Sequence, residues 1–332
     1  MQIAQTLQDP TLRMTANRIQ GESLVCLGEL TRACTHLEQM IAHYDPEQHR
    51  ALAFRYGLDG GVVCLSWHAW ALWLQGYPDQ ALQRSQGAVA LAQKLAHPFS
   101  LAFALQLAAG LNHWRRDWSA AQQQSETLLE FSTEHGFVLW IATATSWQGL
   151  LLAEQGLAAG GIAGQKQVKE GITQMHKGLA IFRATGMQLQ LQLILGSLAG
   201  VCGQVGQVEE GLKALSEALE VMEKTDERYW KAELYRIKGE LLLVRDKNEA
   251  AEAETCFQHA IEVSRRQKAK SLELRAVMSL GRLWHTQGKT VEAQQRLAEI
   301  YSWFSEGFDT GDLQEAKILL EELSAIPHRA PI

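Results

Sequence analysis

A glycine-rich stretch near the middle of the chain has the composition of a phosphate-binding loop: Gly160, Gly161, Gly164 and Lys166. Such a loop follows a β-strand and ends in Gly-Lys-Ser/Thr, because its backbone N–H groups surround the phosphate while the lysine and the hydroxyl hold the phosphate and its magnesium ion. Neither a strand pattern nor that ending is present here. We therefore interpret the stretch as a flexible insertion and predict no phosphate binding at it.

Patterns for catalysis and metal binding are also missing from the sequence. The histidines are scattered, and no two stand four residues apart with a glutamate between them, as zinc ligands on a helix do. No Gly-x-Ser-x-Gly turn presents a nucleophilic serine. We predict that the chain is not an enzyme, has no catalytic residues, and holds no metal ion and no cofactor.

Three tryptophans, Trp67, Trp70 and Trp73, follow one another at a spacing of three. This spacing places their rings along one broad face of a helix. Packing against the next helices and binding of a ligand are both compatible with such a face, and packing is the more common role. The choice between them depends on the elements that position the rings.

A repeated pattern defines those elements along the whole chain. A small residue is followed seven positions later by a turn residue and five positions after that by a second small residue, as in Ala69, Gly76 and Ala81. The first small residues of the repeats are Gly21, Ala69, Ala109, Gly149, Ala199, Gly239 and Gly281. A period of about 40 residues is typical of a solenoid of helical hairpins, in which each hairpin buries its apolar face against its neighbours. Insertions at 45–61 and 156–164 account for two longer steps.

The pattern predicts an all-α fold, a right-handed superhelix of about seven helical hairpins with a single closing helix. We expect one domain over residues 1–326, with its first hairpin at 10–45, the closing helix at 312–323 and a disordered tail at 327–332. Asp312, with Glu315 three residues later, is interpreted as the N-terminal cap of the closing helix. No proline interrupts the region between Phe99 and Ile326, which agrees with long helices.

Composition restricts the partners and the compartment. The 332 residues include 31 basic and 37 acidic side chains, a net charge of −6 without a basic cluster, which predicts no nucleic-acid partner. The sequence shows neither a secretion signal nor an apolar run long enough to span a membrane, so we predict no membrane contact. The five cysteines show no Cys-x-x-Cys spacing, which favours reduced thiols in the cytoplasm.

Longer phrases of the sequence resemble a known family, among them AWALWLQGYPDQAL, AELYRIKGELLL and WFSEGFDTGDLQEAKILLEEL. They are similar to the tetratricopeptide-repeat region at the C-terminus of bacterial signalling proteins that join an adenylate or guanylate cyclase domain to a STAND-type ATPase module. The resemblance covers nearly the whole chain and departs from the family at 157–165. Because the chain contains no phosphate loop and no cyclase domain, the cyclase and ATPase activities of that family are not carried over.

The resemblance also implies that the first helix of each hairpin lines a concave groove. One end of this groove would be aromatic and the other charged, which suits a protein or peptide segment or a small polar effector. For the charged residues, a solvated helix face is the alternative. The candidate binding residues are Ser66, Trp70, Trp73, Gln106, His113, Glu233, Arg236, Glu240, Arg275, Arg282 and His285.

Two functions are compatible with this sequence. The favoured one is a non-enzymatic binding and scaffolding module, the sensor or protein-interaction arm of a bacterial signalling system. The alternative is the regulatory C-terminal part of a nucleotide cyclase or ATPase whose catalytic domains lie outside this chain. Ile3, Leu7 and Leu12 give the N-terminal end an apolar outer face, so we expect the first hairpin to fray or to be covered by an upstream domain or a second copy of the chain.

Overall fold

The structure is a computed structural model that describes residues 10–325. These residues form α-helices and one short 3-10 helix, and no strand occurs among them. The helices are α1 (Pro10–Cys26), α2 (Leu30–His43), α3 (Pro46–His49), α4 (Ala51–Tyr56), α5 (Gly60–Gln75), α6 (Pro78–Leu95), α7 (Pro98–Arg115), α8 (Trp118–Glu134), α9 (Val138–Ala159), α10 (Gly161–Ala184), α11 (Leu191–Gln204), α12 (Val208–Thr225), α13 (Lys231–Arg245), α14 (Ala250–Gln267), α15 (Lys270–Thr286), α16 (Thr290–Tyr301) and α17 (Gly311–Ser324). The predictions about Ile3, Leu7 and the tail at 327–332 lie outside the described residues.

The long helices pair with their sequence neighbours into seven hairpins, and α17 packs on the last of them. The hairpins are α1–α2, α5–α6, α7–α8, α9–α10, α11–α12, α13–α14 and α15–α16. The short helices α3 and α4 occupy the first predicted insertion. This arrangement confirms the predicted all-α, tetratricopeptide-like solenoid of about seven hairpins with a closing helix.

Local sequence explains how one hairpin connects to the next. Gly76 ends α5 with a φ of 94°, a left-handed conformation in which its N–H bonds back to the carbonyl of Leu72. Pro78 then begins α6, where a missing N–H leaves no helical hydrogen bond unmade. At the corresponding turn after α7, Arg116 adopts a φ of 58° although it is not a glycine. The turn therefore holds a charged side chain at the end of an inner helix.

The prediction that the second insertion is a flexible segment is wrong. The stretch 156–164 continues α9 and begins α10, and Gly160, with a φ of 63°, forms the turn between them. Gly156, interpreted from the repeat as the turn, lies buried within α9 instead. The two helices of this hairpin are consequently longer than those of the other hairpins.

Glycines hold this long hairpin together. A Cβ atom on Gly156 would lie 2.6 Å from the carbonyl oxygen of Gly164, and one on Gly149 would lie 2.6 Å from that of Gly171. No side chain fits between backbones at that distance, so glycine is required at these crossings. Of the glycines that resemble a phosphate loop, Gly164 is explained by close helix packing, and Gly160 and Gly161 by the positive φ values of the turn.

The solenoid curls until its early and late hairpins meet. The carbonyl oxygen of Cys26, at the end of α1, accepts hydrogen bonds from the backbone N–H groups of Arg228 and Tyr229, just before α13. The Ser271 hydroxyl on α15 donates to the carbonyl oxygen of Trp73 on α5, at 2.5 Å. The inner face of the array therefore encloses a space, and the contacts across it decide which inner residues remain accessible.

Candidate functional site

An aromatic cluster fills one half of the enclosed space. We call it the aromatic closure, and its members are Trp70, Trp73, Trp114, Tyr229 and Trp230. The ring centroids of Trp70 and Trp114 are 4.4 Å apart, and those of Trp114 and Trp230 are 4.7 Å apart in a stacked arrangement. All five side chains are buried, and the indole N–H of Trp70 donates to the carbonyl oxygen of Leu107 at 2.8 Å. Rings from α5 and α7 thus pack directly against residues that precede α13.

A series of ion pairs crosses the other half. We call it the ionic chain, because positive and negative side chains alternate along it: Arg282, Glu315, Arg116, Asp312, Arg275, Glu233, Arg236 and Glu240. Three helices, α13, α15 and α17, and the turn at Arg116 contribute to it. Every arginine of the ionic chain contacts at least one carboxylate of the ionic chain.

The best-formed bonds of the ionic chain are partly buried. Arg275 Nε lies 2.6 Å from Asp312 Oδ2, and Arg236 Nη2 lies 2.8 Å from Glu233 Oε1. Burial opposes ionisation of Glu233, but Arg236 and Arg275 outweigh it and lower the pKa of this carboxyl group. The guanidinium of Arg275 also lies over the Trp73 ring, 4.9 Å from its centroid. Arg275 therefore joins the ionic chain to the aromatic closure.

Between these two regions the structure leaves a cavity of about 390 Å³. Its walls come from α7, α9, α11, α13 and α15, with Glu315 of α17 at one side. Helix α11 contributes the small residues Gly196, Ser197 and Gly200, together with Val201 and Gln204. The volume falls within the usual range for pockets that hold small molecules or a few residues of a peptide.

Burial perturbs the pKa values of two further titratable groups on the cavity wall, His113 and Glu154. Burial of His113, with Arg275 and Arg116 nearby, lowers the pKa of its imidazole to about 3, so the ring is neutral at neutral pH. Burial raises the pKa of the Glu154 carboxyl group even though Arg116 and Arg275 act in the opposite direction. The cavity is thus a partly dehydrated place in which charges interact more strongly than in water.

The structure brings most of the predicted charged residues together. Lining the cavity are His113, Glu233, Arg236, Arg275 and Arg282. Glu240 lies beside it and binds Arg236 and the Ser279 hydroxyl. His285 lies outside the lining at the end of α15, where its Nδ1 is 3.1 Å from the Thr290 hydroxyl.

The predicted aromatic end of the groove is corrected by the structure. Trp70 and Trp73 are buried core residues of the aromatic closure, and neither lines the 390 Å³ cavity. Ser66 is buried with its hydroxyl bonded to the carbonyl oxygen of Val62, and buried Gln106 donates to the Gln190 side chain at 2.8 Å. The cause is the closure of the superhelix, which brings Trp230 onto these inner faces.

Several cavity residues were not predicted from the sequence. Glu154 escaped notice because the repeat placed a turn at Gly156, two residues later. Asp312 and Glu315 were interpreted as a helix cap, but α17 begins at Gly311 and both carboxylates bind arginines. The one available signal was Arg116, a charged residue at a position where most repeats have glycine.

Two features are absent from the described residues: a helix that could span a membrane and a group of side chains that could hold a metal ion. None of the helices between residues 10 and 325 combines the length and apolar character needed to cross a lipid bilayer. Across the same residues, no three His, Cys, Asp or Glu side chains are grouped in a way that could hold a metal ion.

Comparison with known proteins supports the fold. No family model matches the sequence. An uncharacterized protein of Rhizobium meliloti (strain 1021) is 28% identical over 281 residues, which are 83% of this chain and 26% of that protein. The chain therefore spans about a quarter of the length of the curated relative it matches.

Solved structures with similar folds have low sequence identity to the chain. A Rap protein complexed with Competence and Sporulation Factor superimposes with a TM-score of 0.57 at 13% identity, over 95% of this chain and 78% of that one. Aspartyl phosphate phosphatase F from Bacillus subtilis gives 0.55 at 10% identity over 88% and 70%. The apo form of RapI gives 0.53 at 14% identity over 93% and 99%. These similarities show a shared helical-repeat fold.

Proposed function

We propose that this chain is a non-enzymatic binding module that holds a protein or peptide segment, or a small effector, in the cavity between the aromatic closure and the ionic chain. The single observation that carries this proposal is the cavity itself, enclosed by the inner helices of five hairpins and lined by fixed charges. Because the surrounding ion pairs position these charges before any ligand arrives, little ordering is needed on binding. A Rap protein of similar fold forms a complex with Competence and Sporulation Factor, which supports a binding role for such an array.

A substitution that fills the cavity tests this proposal. A tryptophan at Gly200 has room to project inward, since the nearest atom to an added Cβ is Ile237 Cδ1 at 3.9 Å. Gly87 is a matched control, because it also lies within a helix, is exposed and has nothing within 4 Å of an added Cβ. The wild type, Gly200→Trp and Gly87→Trp are incubated with a pool of random pentapeptides and small metabolites, and retained compounds are identified by mass spectrometry.

We expect the wild type and Gly87→Trp to retain the same compounds, and Gly200→Trp to lose them with its helix content intact. Retention of the same compounds by all three proteins would place binding elsewhere and refute the proposal. Retention of nothing by the wild type from either class would refute it as well.

A second candidate function is the regulatory arm of a larger signalling protein, such as a nucleotide cyclase or ATPase whose catalytic domains lie outside this chain. The much greater length of the Rhizobium meliloti relative favours an array that is one part of a longer protein. The chain by itself is then expected to produce no phosphate and no cyclic nucleotide from ATP or GTP with magnesium. Turnover that survives repurification and is abolished by a point substitution in this chain would contradict a purely regulatory role.

The cytoplasmic location, the bacterial signalling context and self-association through the N-terminal end belong to the same proposal. Ile19 on α1 is exposed, which is compatible with a covering partner at that end. Sedimentation of the purified chain over a range of concentrations distinguishes a monomer from a dimer, and Ile19→Glu is expected to shift a dimer towards monomer.

A further inference from the structure

The charges of the ionic chain balance one another. Its four arginines are matched by four carboxylates in alternating contacts. Arg116 and Arg275, which both line the cavity, each contact two of these carboxylates. An anionic ligand would have to replace one of these existing partners, so the arginines already have what such a ligand would offer.

Glu154 is different from the other charged residues of the cavity. Its carboxylate lines the cavity from α9 but forms no ion pair within 4 Å with any cationic side chain of the described residues. Its one neighbouring hydrogen-bond partner is the amide of Gln204, and Arg116 and Arg275 act on it only from a longer range. His113 is neutral at neutral pH, so among the carboxylates that line the cavity Glu154 is the one without an ion-pair partner in the described residues.

The neighbours of Glu154 suit a cation with an aliphatic chain. Trp118, at the start of α8, supplies an indole ring to the same cavity, whereas the ring of Trp114 is stacked against Trp230 in the aromatic closure. Aromatic faces attract ammonium and guanidinium groups and also accept the methylene groups of a basic side chain. Gly200 of α11 leaves room for such a chain, since the nearest atom to an added Cβ there lies 3.9 Å away.

We propose that the cavity binds a ligand with a cationic nitrogen on an aliphatic chain, a basic side chain of a peptide or a free alkylamine, and that Glu154 is its ionic partner. This inference rests on the proposed function and adds the chemical class of the ligand. Pairing with a positive nitrogen neutralises the charge of Glu154 without breaking any contact of the ionic chain. A carboxylate in a partly dehydrated site gains more from such a bond than one in water.

The test uses the full chain and defined probes. Three pools of acetylated, amidated pentapeptides differ at a fixed central residue, which is lysine, methionine or glutamate, and 1,5-diaminopentane serves as the free amine. Binding is measured by calorimetry and by tryptophan fluorescence for the wild type, Glu154→Gln and Glu170→Gln. Glu170 is a matched control because it is an exposed glutamate on α10 of the same hairpin.

We expect the wild type to prefer the lysine pool or the diamine over the methionine pool, and Glu154→Gln to weaken that binding about tenfold, in line with a hydrogen bond to a charged group. Glu170→Gln should bind like the wild type. The lysine pool and the diamine distinguish a peptide from a small effector as the source of the cation.

Equal binding of the lysine and methionine pools, or unchanged binding by Glu154→Gln, would overturn the proposal. Absence of binding of both cationic probes would overturn it too. The wild type could instead retain glutamate-containing or neutral peptides that Gly200→Trp loses. This outcome would refute the proposal of a cationic ligand but not the proposed binding function.

Discussion

The residue that follows the first small residue of a repeat is buried in one half of the enclosed space and accessible in the other. Trp70 and Arg282 each follow the first small residue of their repeat, Ala69 and Gly281. Trp70 is fully buried in the aromatic closure, whereas the side chain of Arg282 remains 45% exposed beside the cavity. Position within a repeat therefore decides that a residue faces inward, but contacts between distant repeats decide whether it is accessible.

The other repeats show how the same position shapes the space. It holds Gly110 in the third repeat, where an added Cβ would lie 3.1 Å from the Trp70 ring and 3.2 Å from the Trp147 ring. It holds Gly200 in the fifth repeat, where no ring takes up the room and the cavity remains. A glycine next to bulky rings allows the rings to pack into a buried core, whereas a glycine without neighbouring rings leaves a cavity.

The largest expected effect is on the filled half. Trp70→Ala removes the central ring of the aromatic closure and leaves the carbonyl oxygen of Leu107 without its indole donor, so we expect the free energy of unfolding to fall by about 4 kcal/mol. Urea unfolding followed by circular dichroism measures it. Phe54→Ala is the control, since that side chain is 82% exposed and should contribute little. Equal losses in the two variants would mean that the closure does not stabilise the fold.

The repeat frame was sufficient to predict most of the fold, because the turn glycines and small crossing residues act locally. It was insufficient at Gly156, where a glycine packs against another helix and does not form a turn. Packing of the tryptophan stripe was the favoured interpretation, but the partner of Trp73 could not be predicted, since Trp230 is far away in sequence and meets it only when the superhelix closes. For the same reason Glu315 could not be recognised as a partner of Arg116.

The next expected effect concerns Glu227, which lies where the solenoid closes on itself. This side chain is fully buried, and one of its carboxylate oxygens accepts the backbone N–H of Gln190 at 2.8 Å. Burial raises its pKa from 4.5 to about 7, with hydrogen bonding acting in the opposite direction. Cys26 and Tyr229 interact electrostatically with Glu227, and neither supplies a positive charge.

The sign of the effect follows from the raised pKa. Below about pH 4.5 Glu227 is protonated in both states, and as the pH rises to 7 only the unfolded state ionises freely, so stability is lost over that interval. Glu227→Gln should remove this loss and raise the free energy of unfolding at pH 8 by up to about 3 kcal/mol, with little change at pH 4.5. Glu223→Gln, at an exposed glutamate, is the control. A difference that is the same at both pH values would contradict a titrating Glu227.

The smallest expected effect concerns a carboxylate that ties the C-terminal connection to the second hairpin. Glu306 Oε1 accepts the backbone N–H groups of Asp79 and Gln80 at 3.0 and 3.1 Å, and so caps α6 from a distant part of the chain. Tyr77, the residue before α6, provides no side-chain cap of its own. Because a negative charge stabilises the N-terminus of a helix, Glu306→Gln should lower the free energy of unfolding by about 1 kcal/mol.

Glu306→Gln also shows whether burial of the aromatic closure depends on the packing of its rings or on the contact between Glu306 and α6. If packing of Trp70 and Trp114 holds the two halves together, tryptophan fluorescence of Glu306→Gln in buffer should match that of the wild type, and only the unfolding midpoint should move. Glu299→Gln, at an exposed glutamate on α16, should change neither. A red-shifted emission in the native Glu306→Gln protein would instead show that losing this cap exposes the rings to water. Burial of the aromatic closure would then depend on the contact between Glu306 and the N-terminus of α6.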